Sequence, residues 1–462
     1  MDLLSRKVPK ELLIKIVKHG HLGTIGYAYG RHSKIYPVAL TQVCRGWRTV
    51  VLGVPTLWAN IRITRKYSTE QIKAIIHTYL ERSKTCPLSL TWYWRWRTDD
   101  VDIIQVVLDH LIVPYAERIQ RITVLIDDHG QINIGAFLAV IEPLDFPILR
   151  DVEIFCQGPS PLTYTLGRSA PLLRCCRFYS PYLLPPLPSN LVILDYSFTR
   201  ESTTNIDSLL EFLPHVAQSL EHLRFRPPVS NIRFTPSRPK IKLQNLKSLL
   251  VERNHIVMDH ILVPNLIYFA ALRFFYEDAE VDNMFDGFSA PKLQSIRFYK
   301  TPLLPLLTQH QVSSMFPQLE SVVLFRCTDE SVFIRLLEPP EPEEPWPFGK
   351  PSENPFPKLK ELAISDTENW TSLQVMIEKR FKNGDESLRK ILLPHGWDVV
   401  PETDYSVRAA QWLPEQGIEH IEYEPIWALQ TILPAPPEFQ DNFWDGEMRH
   451  ERLPGIFFSL GY

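Results

Sequence analysis

One spacing of apolar residues recurs twelve times along this chain of 462 residues and limits what the chain can fold into. In each copy an apolar residue, which we call the anchor, is followed by a second one three positions later and a third two positions after that. Since a single hydrophobic core stops growing at about 250–300 residues, the chain must form several domains or an elongated array of repeats, and the recurrence favours the array. The copies are Ile119/Ile122/Val124, Leu149/Val152/Ile154, Leu173/Cys176/Phe178, Leu191/Leu194/Tyr196, Leu220/Leu223/Phe225, Leu246/Leu249/Val251, Leu266/Phe269/Ala271, Leu293/Ile296/Phe298, Leu319/Val322/Leu324, Leu359/Leu362/Ile364, Leu388/Ile391/Leu393 and, more weakly, Ile418/Ile421/Tyr423.

These copies carry the L-x-x-L-x-L signature and resemble leucine-rich repeats. In that family each copy is a short strand, and neighbouring strands stack in parallel to bury a shared core. The step between anchors varies from 18 residues, between Leu173 and Leu191, to 40 residues, between Leu319 and Leu359. The resemblance therefore implies an irregular leucine-rich-repeat-like array with a parallel sheet, which we place at residues 61–423.

Segments with helical spacing lie between the predicted strands, at residues 103–111, 207–213 and 372–381. Because parallel strands need a connection that returns along the sheet, we expect these segments to be crossover helices on the convex side. The fold class predicted for this part of the chain is therefore an α/β solenoid.

Prolines punctuate the repeats: the chain has 40 prolines and only 18 glycines. In six copies a proline stands two residues before the anchor, where we expect it to end the convex segment and open the strand, since a missing N–H is tolerated there. These prolines are Pro147, Pro171, Pro264, Pro291, Pro317 and Pro357.

The turn after each strand departs from the usual repeat. An Asn or Cys at the eighth position after the anchor would hydrogen-bond the turn, and only Asn254 and Cys327 match. Other residues, Thr301 among them, occupy this position elsewhere. We therefore expect the buried polar ladder to be mostly absent.

Two segments lie outside the repeat pattern. Residues 338–357 form an acidic, proline-rich stretch, which we expect to be a loop insertion that samples polyproline II outside the solenoid. It is either a solvated loop or a docking peptide. Residues 424–462 lack the repeat and are predicted to be a C-terminal cap or tail.

Residues 1–60 contain two short amphipathic helical patterns joined by a glycine-rich connection. Three runs resemble the F-box motif of fungal F-box-like proteins: Val8-Pro9-x-Glu11-Leu12-Leu13-x-x-Ile16, Leu40-x-x-Val43-Cys44-Arg45-x-Trp47-Arg48 and Pro55-x-Leu57-Trp58-x-x-Ile61. The resemblance implies a short helical F-box-like domain that docks on the Skp adaptor of a Skp/cullin/F-box ubiquitin ligase, and through it on a cullin. The docking residues it implies are Val8, Pro9, Leu12, Leu13, Ile16, Leu40, Val43 and Trp47.

The fourth and sixth positions after each anchor are predicted to line the concave surface, because side chains alternate along a strand. Arginines and aromatic residues occur at many of these positions, and both types are enriched in the hot spots of protein interfaces. We expect a target-binding patch there; the alternative is that these residues only pair with acids on neighbouring strands. The predicted patch consists of Arg177, Tyr179, Arg224, Arg226, Arg297 and Tyr299.

Composition and motifs argue against several other classes of function. Lysine plus arginine number 49 and aspartate plus glutamate 53, so we expect no nucleic acid partner. The six cysteines form no C-x-x-C pair, which argues against a disulfide framework or a metal site. Motifs for nucleotide binding, zinc proteases and serine hydrolases are missing, so no catalytic residue or cofactor is predicted. No secretion signal or membrane segment is evident, so we expect a protein of the cytoplasm or nucleus.

The resulting hypothesis is a non-catalytic substrate receptor of a ubiquitin ligase, whose F-box-like segment binds the Skp adaptor and whose repeats bind an unidentified target protein. The alternative is a solenoid scaffold without ligase association. Exposure of Leu12, Leu13, Ile16 and Val43 separates the two, because burial of this stripe against the repeats would favour the scaffold.

Overall fold

The computed structural model of the protein describes residues 9, 11–16, 36–64, 67–95, 101–127, 139–156, 170–179, 188–197, 207–226, 239–252, 256–272, 288, 290–301, 315–328, 330–338, 356–365, 370–394 and 405–423. The predictions for Val8, for the glycine-rich connection, for Asn254, for most of the 338–357 insertion and for residues 424–462 lie outside the described residues. The described strands make up a large parallel sheet of 14 strands and a separate sheet of two, with helices between them in sequence.

One of two compact units covers the chain up to Leu191. Its helices are α1 (residues 11–16), α2 (Tyr36–Thr41), α3 (Arg45–Leu52), α4 (Pro55–Trp58), α5 (Thr69–Ser83) and α6 (Val101–Val107). Helix α6 runs on through a π-helical turn at Leu108–Ile112. The strands are β1 (Asn60–Thr64), β2 (Leu88–Arg95), β3 (Ile119–Asp127), β4 (Asp151–Cys156) and β5 (Cys175–Tyr179), each parallel to the next.

The other compact unit covers Val192–Leu433. Its strands in the large sheet are β6 (Ile193–Ser197), β7 (His222–Arg226), β9 (Ser248–Glu252), β11 (Tyr268–Leu272), β12 (Ser295–Tyr299), β13 (Ser321–Phe325), β14 (Glu361–Ile364), β15 (Lys390–Pro394) and β16 (Glu419–Tyr423). The small sheet pairs β8 (Ile241–Lys242) with β10 (Ile261–Leu262). The helices are α7 (Asp207–Val216), α8 (Ile256–Asp259), α9 (Glu330–Leu336), α10 (Trp370–Lys382) and α11 (Tyr405–Glu415).

The repeat spacing found in the sequence corresponds to rows of buried side chains. In the second unit Leu249 lies opposite Phe269, and Phe269 lies opposite Ile296, so second apolar residues of successive copies stand side by side. In the first eleven copies the anchor and both later residues are buried. Helix α9 packs against this face of the sheet, since the rings of Phe298 and Phe333 lie 6.2 Å apart. The parallel sheet and intervening helices predicted from the repeats are confirmed.

A tight turn explains why proline stands two residues before the anchor. In all six of these copies the anchor N–H donates to the carbonyl three residues earlier, as from Leu293 to Ala290 over 3.0 Å. Proline therefore occupies the second position of a four-residue turn, which its fixed φ favours and where its missing N–H costs nothing. The residue before each proline is a further core residue of the copy: Phe146, Ala170, Val263, Ala290, Phe316 and Phe356 are all buried.

Two strands of the large sheet, β1 and β2, precede the copies recognised in the sequence. In β1 the buried Ile61 lies opposite Leu90 of β2, and Leu90 lies opposite Ile122 of β3. Trp58 takes the place of the first anchor, and it too is buried. Strand β2 does not show the repeat spacing, because the register shifts between Leu88 and Ser89 and brings its first two apolar residues closer together in the sequence.

The weak twelfth copy does not continue the rows. His420, and not Ile421, lies opposite Ile391, so β16 pairs with β15 one residue out of step with the repeat spacing. Ile418 is buried, but Ile421 is only half-buried.

Helix α5 shows how local sequence forms the elements between strands. Ser68 and Gln71 make reciprocal hydrogen bonds at its start: the Gln71 N–H donates to Ser68 Oγ over 3.3 Å, and the Ser68 N–H donates to Gln71 Oε1 over 3.0 Å. Such a capping box satisfies two N–H groups that the helix itself leaves without partners. Ile72, Ile76 and Tyr79 then form the buried stripe.

Candidate interaction surfaces

The predicted adaptor-docking residues of helix α1 lie mostly at the protein surface. Leu12 is 50% exposed and Ile16 is 54% exposed, whereas Leu13 is only 4% exposed. The Leu13 N–H donates to the carbonyl of Pro9 over 3.1 Å, and Pro9 itself is exposed. The helix thus has one buried apolar residue, and its other two implied docking residues meet solvent.

Helices α2 and α3 carry the other implied docking residues. Val43 stands between these helices and is 49% exposed, whereas Leu40 and Trp47 are half-buried. The N-terminal end of α3 is capped by Cys44, whose Sγ accepts from the Trp47 N–H over 3.5 Å. Arg48 Nε donates to the carbonyl of Thr41 over 2.9 Å and so joins the two helices.

Exposed apolar side chains are concentrated in this part of the first unit. Among the described residues, four of the nine large hydrophobic side chains that are exposed lie at or before Leu52. They are Leu12, Ile16, Val43 and Leu52. Single exposed apolar residues are ordinary in soluble proteins, but several within one short stretch are typical of an interaction site.

Trp58, the aromatic residue of the third F-box-like run, has a structural role. Its indole N–H donates to the carbonyl of Val51 over 2.9 Å, and its ring meets Tyr79 edge-on with 5.1 Å between the ring centroids. The Arg82 guanidinium lies 4.3 Å from the centroid of the Trp58 ring. Trp58 therefore ties helix α3 to helix α5 next to strand β1.

The predicted target-binding residues are less accessible than the sequence analysis assumed. Arg177, Arg224, Arg297 and Tyr299 are buried, and Arg226 is half-buried. The side chain of Tyr179, at the end of β5, is outside the described part of the structure. The expected solvent exposure is thus wrong for Arg177, Arg224, Arg297 and Tyr299. The role of the patch in target binding stays a prediction.

A buried charge network in the second unit fits the alternative of ionic pairing between strands. Arg224 Nη1 lies 3.7 Å from Asp195 Oδ2, and Arg224 Nη2 lies 3.7 Å from Glu252 Oε2. Arg226 Nη2 reaches the other oxygen of Glu252 at 2.5 Å. Two cations and two anions balance on three neighbouring strands, and breaking such a buried set leaves an uncompensated charge.

Arg297 belongs to a second group on the same face. Its guanidinium lies 5.1 Å from the centroid of the Tyr268 ring, and burial lowers the pKa of Arg297 from its ordinary value. Next to it, Tyr299 of β12 stacks on Phe325 of β13, with 5.5 Å between ring centroids and 12° between ring planes. The predicted patch residues Arg224, Arg297 and Tyr299 of the second unit are therefore part of its packed interior.

Thr301 forms a turn contact that the sequence analysis did not foresee. Its hydroxyl donates to the carbonyl of Tyr299 over 3.0 Å and is within 3.2 Å of the carbonyl of Ala271 on the neighbouring strand. Cys327, which matches the repeat pattern, places its Sγ 3.7 Å from the carbonyl of Phe325. A threonine thus supplies the polar turn group expected of Asn or Cys, and its position eight residues after the anchor was the available signal.

Arg380 of helix α10 is a buried residue that no motif indicated. Its Nη1 donates to the carbonyl of Leu337 over 3.1 Å, and its Nη2 donates to the carbonyl of Phe356 over 3.0 Å. Asp385 Oδ2 lies 2.5 Å from Nη2. One guanidinium therefore contacts the chain just before the proline-rich insertion and again where that insertion ends.

Histidine, cysteine and acidic side chains in the described part of the chain bear on metal binding and on thiol reactivity. No cluster of three or more histidine, cysteine, aspartate or glutamate residues there could hold a metal ion. Burial raises the pKa of Cys175 to about 12 and that of Cys327 to about 12, which keeps both thiols protonated at neutral pH. Asp127-Asp128-His129, the nearest approach to an acid–base cluster in the sequence, lies outside the described side chains.

No helix in the described ranges combines the length and the apolar character needed to cross a membrane.

Comparisons with known proteins do not identify a family for this chain. No protein-family model matches the chain, and no curated protein sequence matches it. Among solved structures, the chain is similar to a protein from Bacteroides fragilis at 13% identity and a TM-score of 0.34, covering 74% of this chain and 78% of that one. The description of the fold rests on the strand pairing given above.

Proposed function

We propose that this protein is a non-catalytic substrate receptor of a Skp/cullin/F-box type ubiquitin ligase. In this proposal helices α1 to α4 are the F-box-like segment that docks on the Skp adaptor, and the repeat array binds a target protein. The receptor would act by proximity, because it raises the effective concentration of the target near a ubiquitin-charged enzyme held elsewhere in the complex.

The observation that carries the proposal is the exposure of the apolar stripe. Three of its four residues, Leu12, Ile16 and Val43, are about half exposed, and only Leu13 is buried. A scaffold without an adaptor contact has no need to keep such a stripe in solvent, because exposed apolar surface costs free energy until a partner covers it. The exposure therefore favours the receptor over the scaffold.

The buried Trp58 supports a rigid connection between the docking helices and the first strand. Its hydrogen bond to Val51 and its contacts with Tyr79 and Arg82 fix helix α3 against helix α5. A receptor that positions a target needs such a connection, since a mobile joint would lower the effective concentration.

Co-elution of the purified protein with a Skp adaptor tests the proposal. Wild type is expected to form a stable complex, and Leu12→Asp/Ile16→Asp is expected to weaken it by at least about a hundredfold, because two charges would enter an apolar interface. Val375→Asp is the matched control, since Val375 is also an exposed apolar residue but lies on helix α10. Wild type that does not co-elute, or a double variant that binds like the control, would remove the basis for the ligase assignment.

A further inference from the structure

Two cations follow neighbouring strands of the second unit at the same repeat position. Lys300 comes directly after β12 and Arg326 directly after β13, each seven residues after its anchor. Both have positive φ, 47° for Lys300 and 53° for Arg326. Residues other than glycine rarely adopt this left-handed conformation, so the surrounding structure imposes it on both.

Each of these cations lies over the aromatic ring of the residue before it. Lys300 Nζ is 5.2 Å from the centroid of the Tyr299 ring, and Arg326 Cζ is 5.7 Å from the centroid of the Phe325 ring. The two rings are buried and stacked on each other. The aromatic pair is therefore a rigid platform, and the cations above it have less side-chain freedom to lose when a ligand binds.

The main chain of the two residues is held as well. The Lys300 N–H donates to the carbonyl of Phe325 over 2.9 Å, and the Arg326 N–H donates to Ser365 Oγ at the end of β14. The Ser365 hydroxyl in turn donates to the buried Glu330 carboxylate over 2.8 Å. These hydrogen bonds thus fix the main-chain positions from which both side chains project.

We propose that Lys300 and Arg326 together recognise one carboxylate of an acidic peptide. Neighbouring strands lie about 4.8 Å apart, so side chains that leave them at the same position are spaced to contact the two oxygens of a single anionic group. Arg326 is exposed and Lys300 is half-buried, so a ligand can reach the pair from solvent. The inference rests on the proposed function, because the acidic peptide would be a segment of the target held by the repeats.

This cation pair differs from the patch expected from the sequence. Arg224, Arg297 and Tyr299 are buried in the packed interior, whereas the cation pair stands at the edge where the strands end. The stacked rings of Tyr299 and Phe325 would support the site, and Lys300 and Arg326 would make the contact.

Fluorescence anisotropy with a labelled glutamate-rich peptide tests the inference on the full chain. A peptide with glutamine in place of each glutamate is the control ligand. We expect the wild-type protein to bind the glutamate peptide in preference to the glutamine peptide, and added salt to weaken that binding because charges at the surface are screened. Equal binding of the two peptides by wild type, or binding of neither, would overturn the proposal.

Lys300→Gly/Arg326→Gly is the informative variant. Glycine removes both cations and also accepts positive φ without strain, so the variant is expected to fold with an unchanged or higher thermal midpoint. Its affinity for the glutamate peptide should fall by about tenfold or more. Lys382→Ala/Arg389→Ala removes two exposed cations elsewhere in the same unit and should bind like wild type. Equal loss in both double variants would mean attraction by net charge alone and would overturn the inference.

Adaptor co-elution of the same glycine variant separates this inference from the proposed function. The cation pair belongs to the second unit and the docking stripe to the first, so the glycine variant should still co-elute with the adaptor if the receptor assignment holds. Loss of peptide binding with adaptor binding intact is the expected result. Intact peptide binding in the glycine variant would overturn the proposal that the cation pair binds the peptide. It would not affect the proposed receptor function.

Discussion

Trp58 donates its indole N–H to the main-chain carbonyl of Val51 over 2.9 Å, and both residues are buried. The bond joins the end of the F-box-like run to helix α3, while the same indole occupies the first anchor position of the sheet. One side chain therefore belongs to two structures that the sequence analysis treated as separate, the helical segment and the repeat array. The division at residue 60 stays a prediction about function, but packing continues across it.

Replacement of Trp58 by phenylalanine is expected to destabilise the first unit. Trp58→Phe removes the hydrogen bond to Val51 and leaves a cavity beside Tyr79, so the free energy of unfolding should fall by about 2–4 kcal/mol. Urea unfolding followed by circular dichroism measures the change. Trp47→Phe, at a half-buried position, is the control and should lower stability by no more than about 1 kcal/mol. Equal effects of the two substitutions would show that the Trp58 contacts contribute little.

Substitution of the neighbouring Tyr79 by phenylalanine is expected not to destabilise the protein. Its ring is buried, and its hydroxyl has no hydrogen-bond partner among the described residues. Burial raises the pKa of this tyrosine well above its ordinary value, in keeping with a hydroxyl removed from water. Tyr79→Phe should therefore leave stability unchanged or raise it by up to about 1 kcal/mol, because a desolvated polar group is lost while the ring remains. A clear decrease in the urea midpoint would mean that the hydroxyl is hydrogen-bonded in solution.

The repeat architecture was predictable because its core residues follow one spacing. Leu249, Phe269 and Ile296 lie opposite one another at the second apolar position, and side chains that must share one core have to be apolar in every copy. The strand at Leu88 lacks the repeat spacing because a register shift brings its first two apolar residues closer together. No local signal in the sequence marks such a shift, since it depends on how the strand pairs with its neighbour.

The accessibility of the predicted target patch could not be inferred from strand alternation alone. Alternation separates two faces of a sheet, but it does not say which faces are covered. One signal was present: Leu250, Ala270 and Val323 at the fourth position are apolar, which is typical of parallel strands buried on both faces. The exposure of Leu12 and Ile16 could not be inferred from helical periodicity, because an amphipathic pattern does not say whether its apolar face packs on the same chain, and Leu13 of the same stripe is buried.

Arg380 is expected to be among the most sensitive positions of the second unit. Arg380→Met would remove the cation that faces the Asp385 carboxylate, and it would also remove the donor to the carbonyls of Leu337 and Phe356. The expected loss is about 3–5 kcal/mol of unfolding free energy, since an uncompensated buried charge is costly. Arg380→Met/Asp385→Asn should recover part of the loss. A double variant that is less stable than Arg380→Met would rule out the charge as the main cause.

The charge network around Glu252 provides a comparison between buried and exposed ion pairs. Glu252→Gln leaves Arg224 and Arg226 with less negative charge in a site closed to solvent, and should cost about 3–5 kcal/mol. Glu221→Gln is the control, because Glu221 pairs with the exposed Lys247 at 2.6 Å and such a pair is worth no more than about 1 kcal/mol. The shift of the urea midpoint from wild type is measured for each variant. Equal shifts would contradict the burial of the network.

His222 should make stability depend on pH below neutrality. Burial, with a smaller contribution from Lys247, lowers the pKa of His222 to about 3. In the unfolded chain the pKa of a histidine is about 6.5, so above that pH both states are neutral and His222 contributes no pH dependence. Below it the unfolded state binds a proton that the folded state does not. Stability should therefore fall by about 1.4 kcal/mol for each pH unit between about 6.5 and the folded-state pKa.

The substitution that tests this dependence is His222→Gln, which is neutral at every pH. Between about pH 7.5 and about pH 5.5 the urea midpoint of wild type should decrease more than that of the variant, because carboxylates titrate in both proteins and only wild type carries the buried imidazole. His215→Gln, at an exposed histidine of helix α7, should keep the wild-type dependence. Identical slopes for wild type and His222→Gln would mean that His222 has the same pKa in the folded and unfolded states, and that its burial is not maintained in solution.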